Sequence, residues 1–123
     1  MIHFIVAGRP LPQPKPRTAG VHRFYPAAYV TYRDEVAVCA QVAALELHER
    51  GTPWDAMRRS YAVRLRFFQP DRRRTDIDRL VASQLDALVR AGVLEDDRFV
   101  DRLRAERAID AGDPRVEVEV EGL

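Results

Sequence analysis

The sequence has little that would place the protein outside the cytoplasm. Its single cysteine, Cys39, cannot form an intramolecular disulfide, which fits a reducing compartment. The opening segment MIHFIVAGRP has too short an apolar run, and no basic lead, for a secretory signal peptide. No stretch approaches the roughly 18 consecutive apolar residues that a membrane span needs. We therefore expect a cytoplasmic protein that is neither stabilised by disulfides nor embedded in a membrane.

Internal repeats and low-complexity linkers are also missing, so nothing divides the chain. Its 123 residues predict one domain spanning 1–123, which is long enough for a single packed core. With 46% hydrophobic and 32% charged residues, the composition is that of an ordinary globular protein.

Acidic residues are absent before Asp34, and the charge is distributed unevenly along the chain. Residues 1–75 hold 13 basic and 6 acidic side chains, whereas residues 76–123 hold 7 basic and 13 acidic ones. The net charge of +1 therefore hides a basic first part and an acidic last part. Basic surfaces of this kind neutralise phosphates in nucleic acids. The alternative is a set of solvated faces that balance one another within the fold.

Hydrophobic periodicity predicts a mixed α/β (α+β) fold with the order β-α-β-α-β-β. The predicted ranges are a strand at 2–7, a helix at 27–49, a strand at 60–68, a helix at 76–91, and strands at about 99–107 and 115–122. The proline-rich segment at 9–26 is predicted to be a partly extended loop. This order indicates a mixed sheet with two helices packed on it, on one face.

Two aspartates open the second predicted helix, inside the segment RRRTDIDRLVASQLDALVRAGVLEDD at 72–97. Asp76 and Asp78 can face the same space only if the helix begins at them or between them. Aspartate also favours helix starts, because its carboxylate accepts backbone N–H bonds and complements the helix dipole. Capping needs one aspartate, so it leaves the second unexplained.

More carboxylates follow along the same segment. Asp78, Ala82 and Asp86 share one helix face at i, i+4 and i+8, opposite the apolar stripe. Asp96 and Asp97 come just after Gly92, which is predicted to end the helix. Converging carboxylates form a hard-oxygen site suited to Mg²⁺ or Mn²⁺. The alternative is a group of surface acids.

The segment TDIDRLVASQLDALVRAGVLEDDRFV resembles the signature of the RusA-type crossover junction endodeoxyribonucleases. That signature runs Asp-x-Asp-Asn-x-x-Lys, then Asp-Ala-Leu, a glycine turn and an Asp-Asp pair. The segment GRPLPQPKPR is similar to the early proline-rich basic part of the family, and the order of strands and helices agrees. The likeness covers most of the chain, and its specific part is 76–97.

The resemblance implies a RusA-like fold and a small homodimeric nuclease that depends on Mg²⁺, with Mn²⁺ as a substitute. Such enzymes resolve four-way (Holliday) DNA junctions by paired cuts during recombination and repair. The family is often carried by phages and prophages, and it acts on DNA of the nucleoid. The resemblance places its catalytic acids on Asp76, Asp78 and Asp97. It implies that these three hold the metal, and Asp96 and Asp86 match further acidic positions of the motif.

The sequence departs from the family pattern at two positions. Arg79 stands where the family has asparagine, and Ala82 stands where it has its catalytic lysine. A lysine there would stabilise charge on the phosphate, which alanine cannot do. Arg79 and the three arginines at 72–74 are candidate replacements. The alternative is a catalytically weak or inactive protein that binds branched DNA. A phosphatase with an aspartate nucleophile is disfavoured, because its Asp-x-Asp pair would follow a strand.

Basic residues flank the acidic segment and are the predicted contacts for DNA. They are Lys15 and Arg17 in the proline-rich loop, Arg72, Arg73 and Arg74 before the helix, and Arg79 within it. Contacts between arginine and the phosphate backbone position DNA without reading its sequence. The alternative for any single arginine is an ordinary surface residue.

Overall fold

The structure is a computed structural model that describes residues 1–15, 17–20 and 22–123, without the side chains of residues 17–19, 22 and 23. Its strands are β1 (Ile2–Ala7), β2 (Arg17–Ala19), β3 (His22–Phe24), β4 (Tyr61–Gln69), β5 (Val100–Ile109) and β6 (Arg115–Gly122). Its helices are α1 (Ala27–Glu49) and α2 (Ile77–Arg90), and a short 3-10 turn covers Asp97–Phe99. The predicted order of the main elements is confirmed.

One part of the prediction is wrong. The proline-rich segment, predicted to be a loop throughout, contains the antiparallel hairpin formed by β2 and β3. The chain turns between them at Gly20, whose φ of +64° is a left-handed conformation that glycine adopts without steric cost. Most of the prolines precede the hairpin, so they do not interrupt its pairing.

The four long strands form one mixed sheet in the order β1-β6-β4-β5. The first two pairs of neighbours are antiparallel, whereas β4 and β5 are parallel. Because these two strands run in the same direction, their carboxyl ends meet at one edge of the sheet, with Gln69 beside Ile109. The connection between them is α2, so the segment that carries Asp76 starts from this edge.

Both helices pack on one face of the sheet and share a single hydrophobic core. Strand β6 shows the predicted alternation, since Val116, Val118 and Val120 are fully buried while its glutamates are more accessible. Tyr32 and Val36 of α1 join the same core, as do Leu80 and Leu88 of α2. Within the described ranges, neither helix has the length and apolar character needed to cross a membrane.

The end of α2 fixes where the second acidic pair lies. Gly92, with φ +75°, follows the cap residue Ala91, and the Val93 N–H donates to the Leu88 carbonyl at 3.0 Å. This is the Schellman arrangement, so the predicted stop at Gly92 is confirmed. Trp54 donates its indole N–H to the Val93 carbonyl at 2.9 Å. The chain that leads to Asp96 is thereby fastened to the core.

Candidate active site

An acidic cleft lies between α2 and the segment that follows its end. It has a volume of about 220 Å³ and is lined by Gln13, Ala82, Asp86, Val89, Asp96 and Asp97. The Schellman turn brings Asp96 and Asp97 back alongside the helix. We refer to these six residues as the acidic cleft.

Asp86 is held in the acidic cleft by two side chains of α1. The Tyr29 hydroxyl donates to its carboxylate at 2.7 Å, and Arg33 Nη1 lies 3.5 Å from the same oxygen. Burial and the neighbouring Asp86 raise the pKa of Tyr29 above its usual range, so this hydroxyl stays protonated at physiological pH. The face of α2 that carries Asp86 therefore meets α1, whereas the sequence predicted only that it lies opposite the apolar stripe. Sequence reasoning did not identify Tyr29 and Arg33 as site residues. It had assigned Tyr29 to the apolar seam of the first helix.

The two carboxylates after Gly92 are coupled to each other. Asp96 caps the 3-10 turn by accepting the Arg98 N–H at 2.9 Å, and this bond lowers the pKa of Asp96. Burial, the hydrogen bond with Asp96, and the charges of Asp96 and Asp86 all raise the pKa of Asp97. A cation bound beside the two carboxylates would relieve this repulsion.

Replacing Asp97 with asparagine is expected to stabilise the protein when no metal is bound. A carboxyl group whose folded-state pKa is raised contributes stability that is full below the unfolded value and is lost as pH rises through the folded value. At pH 7 the charged Asp97 therefore costs stability, and asparagine removes that cost.

Thermal unfolding in a chelating buffer measures this effect. The midpoint of Asp97→Asn should exceed that of the wild type at pH 7, and the gap should close as the pH falls below about 4. Glu95→Gln is the matched control, since Glu95 is an exposed neighbour outside the acidic cleft. A midpoint for Asp97→Asn below that of the wild type at pH 7 would contradict the argument.

Asp76 and Asp78 stand at the start of α2, outside the acidic cleft. Asp76 is the N-cap residue, with ψ 125°, yet its side chain makes no capping hydrogen bond. Both carboxylates are exposed to solvent, so neither is used for the structural role that aspartate often plays at this position. Asp78 lies one turn before Ala82, or about 6 Å along the helix axis.

Only some of the predicted site residues therefore lie in the same cleft. It brings Asp97 together with Asp86 and Asp96, but neither Asp76 nor Asp78 lines the same cleft. Across the part of the chain that is described, no three acidic, histidine or cysteine side chains are grouped closely enough to hold a metal ion. The assignment of Asp76, Asp78 and Asp97 as one catalytic set remains a prediction.

The donor chemistry of the acidic cleft nevertheless suits a hard divalent cation. Mg²⁺ is usually held by one or two protein carboxylates, with water and substrate phosphate completing its octahedron. Asp97 and Asp96 supply such a pair of oxygen donors, whereas the Asp86 carboxylate at the cleft wall already accepts from Tyr29 and pairs with Arg33. These two carboxylates, Asp96 and Asp97, are of the donor type that Mg²⁺ and Mn²⁺ prefer, and the metal predicted from the sequence stays a prediction.

A turn after β4 carries the three consecutive arginines Arg72, Arg73 and Arg74, and we refer to it as the arginine turn. Contacts anchor it at both ends. Arg73 binds Asp71 through its backbone N–H, at 2.9 Å, and through its guanidinium, at 3.4 Å. Arg107 of β5 donates to the Thr75 carbonyl, which ties the far end of the turn to the sheet. The side chains of the three arginines are all exposed, so they remain able to contact phosphate.

The proline-rich segment runs across the first turn of α2. The Gln13 N–H donates to the Arg79 carbonyl at 2.9 Å, and Gln13 also lines the acidic cleft. Lys15, two residues further on, is exposed. The side chain of Arg17 lies outside the described residues, although its backbone opens β2. Arg79 is half-buried.

At the position of the missing lysine, the Ala82 side chain lines the acidic cleft with no charge of its own. The guanidinium that does contact a cleft acid belongs to Arg33 of α1, which is only 15% exposed. Neither Arg79 nor the arginines at 72–74 are among the residues that line this cleft. Arg33 does not line the cleft either, so no described residue of the cleft lining supplies the charge of the missing lysine.

Comparison with known proteins agrees with this description. A family model described as Endodeoxyribonuclease RusA matches residues 7–121, which is almost the entire chain. No curated protein matches the chain.

Proposed function

Since this chain belongs to the RusA endodeoxyribonuclease family, we propose that it resolves four-way DNA junctions by hydrolysing phosphodiester bonds with the help of Mg²⁺. The family match over residues 7–121 carries the proposal. The acidic cleft and the arginine turn support it, because together they offer donors for a cation and contacts for phosphate. Such an enzyme acts during recombination and repair. We expect its substrate to be the DNA of a bacterial nucleoid or of a phage or prophage genome.

In this proposal the acids and the arginines have separate roles. Asp97 and Asp96 would hold Mg²⁺ or Mn²⁺, and Asp86, Asp76 and Asp78 are the further acids assigned to it, the last two at the start of α2. When bound, the ion activates a water molecule and neutralises charge on the phosphodiester.

Other side chains of the protein position these groups. Tyr29 and Arg33 keep the Asp86 carboxylate in place, while the arginine turn holds the sugar-phosphate backbone. A C₂ homodimer would present two equivalent sites, as a paired incision requires.

Introducing the family lysine is expected to raise the cleavage rate. Ala82 lines the acidic cleft, so an ammonium at this position would reach a phosphate bound there and stabilise its developing charge. We expect Ala82→Lys to cleave a four-way junction about tenfold to a hundredfold faster than the wild type. Ala82→Met is the control, since it adds a side chain of similar length without charge. Equal rates for the two variants would show that the missing charge is not what limits cleavage.

The second candidate function is a protein that binds junctions without cutting them, and the uncharged Ala82 favours it. A labelled four-way junction incubated with purified protein, with and without Mg²⁺ or Mn²⁺, separates the two functions. Paired nicks that depend on the cation support the nuclease. A shifted junction that stays intact with either cation supports the binding protein, and absence of both binding and cutting would overturn the two together.

A further inference from the structure

A second cleft opens beside the arginine turn, at the edge of the sheet where β4 and β5 end. It has a volume of about 390 Å³ and is lined by Gln69, Asp71, Arg72, Arg73, Arg74, Arg107, Ala108 and Ile109. We refer to it as the arginine cleft. Its volume lies within the range of pockets that take small organic groups, about 300–1,000 Å³.

Gln69 is the unusual residue of the arginine cleft. It continues the row of β4 side chains that face the core, where Tyr61, Val63, Leu65 and Phe67 are all buried. It is itself only 4% exposed, and neither its Oε1 nor its Nε2 has a hydrogen-bond partner among the described residues. A buried amide without partners destabilises a fold, whereas an apolar side chain of the same size would not. A partner outside the chain would satisfy both atoms of the amide.

The chemistry of the arginine cleft indicates what that partner is. A primary amide presents a hydrogen-bond donor and an acceptor side by side, and nucleobase edges present the complementary pair. A phosphate only accepts hydrogen bonds, so it would use the guanidinium groups and leave the amide oxygen unsatisfied. Ala108 and Ile109, the latter 53% exposed, add an apolar surface against which a flat ring can lie.

We propose that the arginine cleft receives a nucleobase of the DNA substrate and that Gln69 reads its hydrogen-bonding edge. Arg72, Arg73 and Arg74 hold the adjoining phosphates, so the same turn positions the strand and presents one base to the amide. Both amide atoms are buried, so reading a base requires a change of side-chain rotamer, and such changes are common on binding. This proposal rests on the proposed function, because it requires DNA as the ligand.

Selection from a junction library tests the proposal without cleavage. Four-way junctions with randomised bases around the crossing are bound to wild type, Gln69→Met and Gln84→Met in chelating buffer, and the bound fractions are sequenced. The wild type is expected to prefer one base at one position about tenfold or more, and Gln69→Met to lower that preference to within about twofold. Overall affinity should change less than about threefold, because the arginines remain.

Gln84→Met is the matched control, since Gln84 is a fully buried glutamine whose Nε2 donates to the Tyr32 hydroxyl at 2.9 Å, while its Oε1 has no partner among the described residues. It should keep the wild-type base preference and unfold at a lower temperature, whereas Gln69→Met should unfold at or above the wild-type temperature. A lower unfolding temperature for Gln69→Met would reveal a structural partner for the amide and overturn the proposal.

Other outcomes separate this proposal from the proposed function. If wild type and Gln69→Met have identical base preferences, Gln69 does not read a base. That result would not contradict the proposed junction binding and cleavage. A uniform loss of affinity across all sequences in Gln69→Met would show that the cleft holds phosphate, which also overturns it. If the wild type binds no junction, both the proposed function and this inference fail.

Discussion

Asp97→Asn is expected to reduce Mg²⁺-dependent cleavage of a four-way junction by at least about 100-fold, a loss comparable to removing one preorganised transition-state contact. Asp97 is the member of the predicted catalytic set that lies in the acidic cleft, beside Asp96 and Asp86. Asparagine keeps the shape of the side chain but removes the negative charge that would hold the cation. Junction binding, measured by gel shift in chelating buffer, should stay within about threefold of the wild type.

The double variant Asp76→Asn/Asp97→Asn tests whether the two carboxylates act at the same catalytic site. Asp76 is exposed at the start of α2 and lies outside the acidic cleft. Groups that act as one catalytic unit show non-additive losses, so the double variant should be no slower than the slower single variant. Wild-type rates for both single variants would refute the site assignment. If Asp97→Asn alone is impaired, the working carboxylates are those of the cleft, and Asp76 is not among them.

Replacing Arg72, Arg73 and Arg74 together with glutamine is expected to weaken junction binding by about two to three orders of magnitude near 0.1 M salt. Each phosphate contact contributes about 0.9 to the slope of log affinity against log salt concentration, so that slope should become shallower by up to about 2.7. Arg73 also binds Asp71, and the loss of that contact is small because such exposed pairs contribute little. Fluorescence anisotropy over a salt series gives both quantities.

Arginines on the other face of the sheet provide the matched control. Arg64, Arg66 and Arg104 alternate with the core-facing residues of β4 and β5, and each lies within 4.0 Å of Glu106. Changing these three to glutamine removes the same charge from a different surface. We expect less than about a threefold change in affinity and little change in the salt slope. Equal effects of the two triple variants would mean that net charge, and not the arginine turn, governs binding.

The sequence alone determined the local structure of this protein with good accuracy. The predicted first helix has the observed bounds Ala27–Glu49, and α2 differs from its predicted range by one residue at each end. The stop at Gly92 and the inward valines of β6 were also predicted correctly. These features depend on residues close together in the chain, because the periods of 3.6 and 2 and the left-handed glycine are local properties.

The signature at 76–97 likewise indicated the family, and the match over residues 7–121 confirms it. Motif spacing is preserved in the sequence itself, so it needs no tertiary information. It did not reveal which carboxylates share a cleft. In the structure Asp97 is grouped with Asp86 and Asp96, whereas Asp76 and Asp78 lie outside the acidic cleft.

Only the tertiary structure decided which distant side chains meet. Tyr29 and Asp86 are 57 positions apart, and their contact exists because α1 and α2 pack side by side on the sheet. The parallel pairing of β4 with β5 likewise places Gln69 beside Ile109 at the arginine cleft. Periodicity states that a face is buried but not what covers it. The partners in both clefts are therefore set by how the helices and strands pack, which no local pattern encodes.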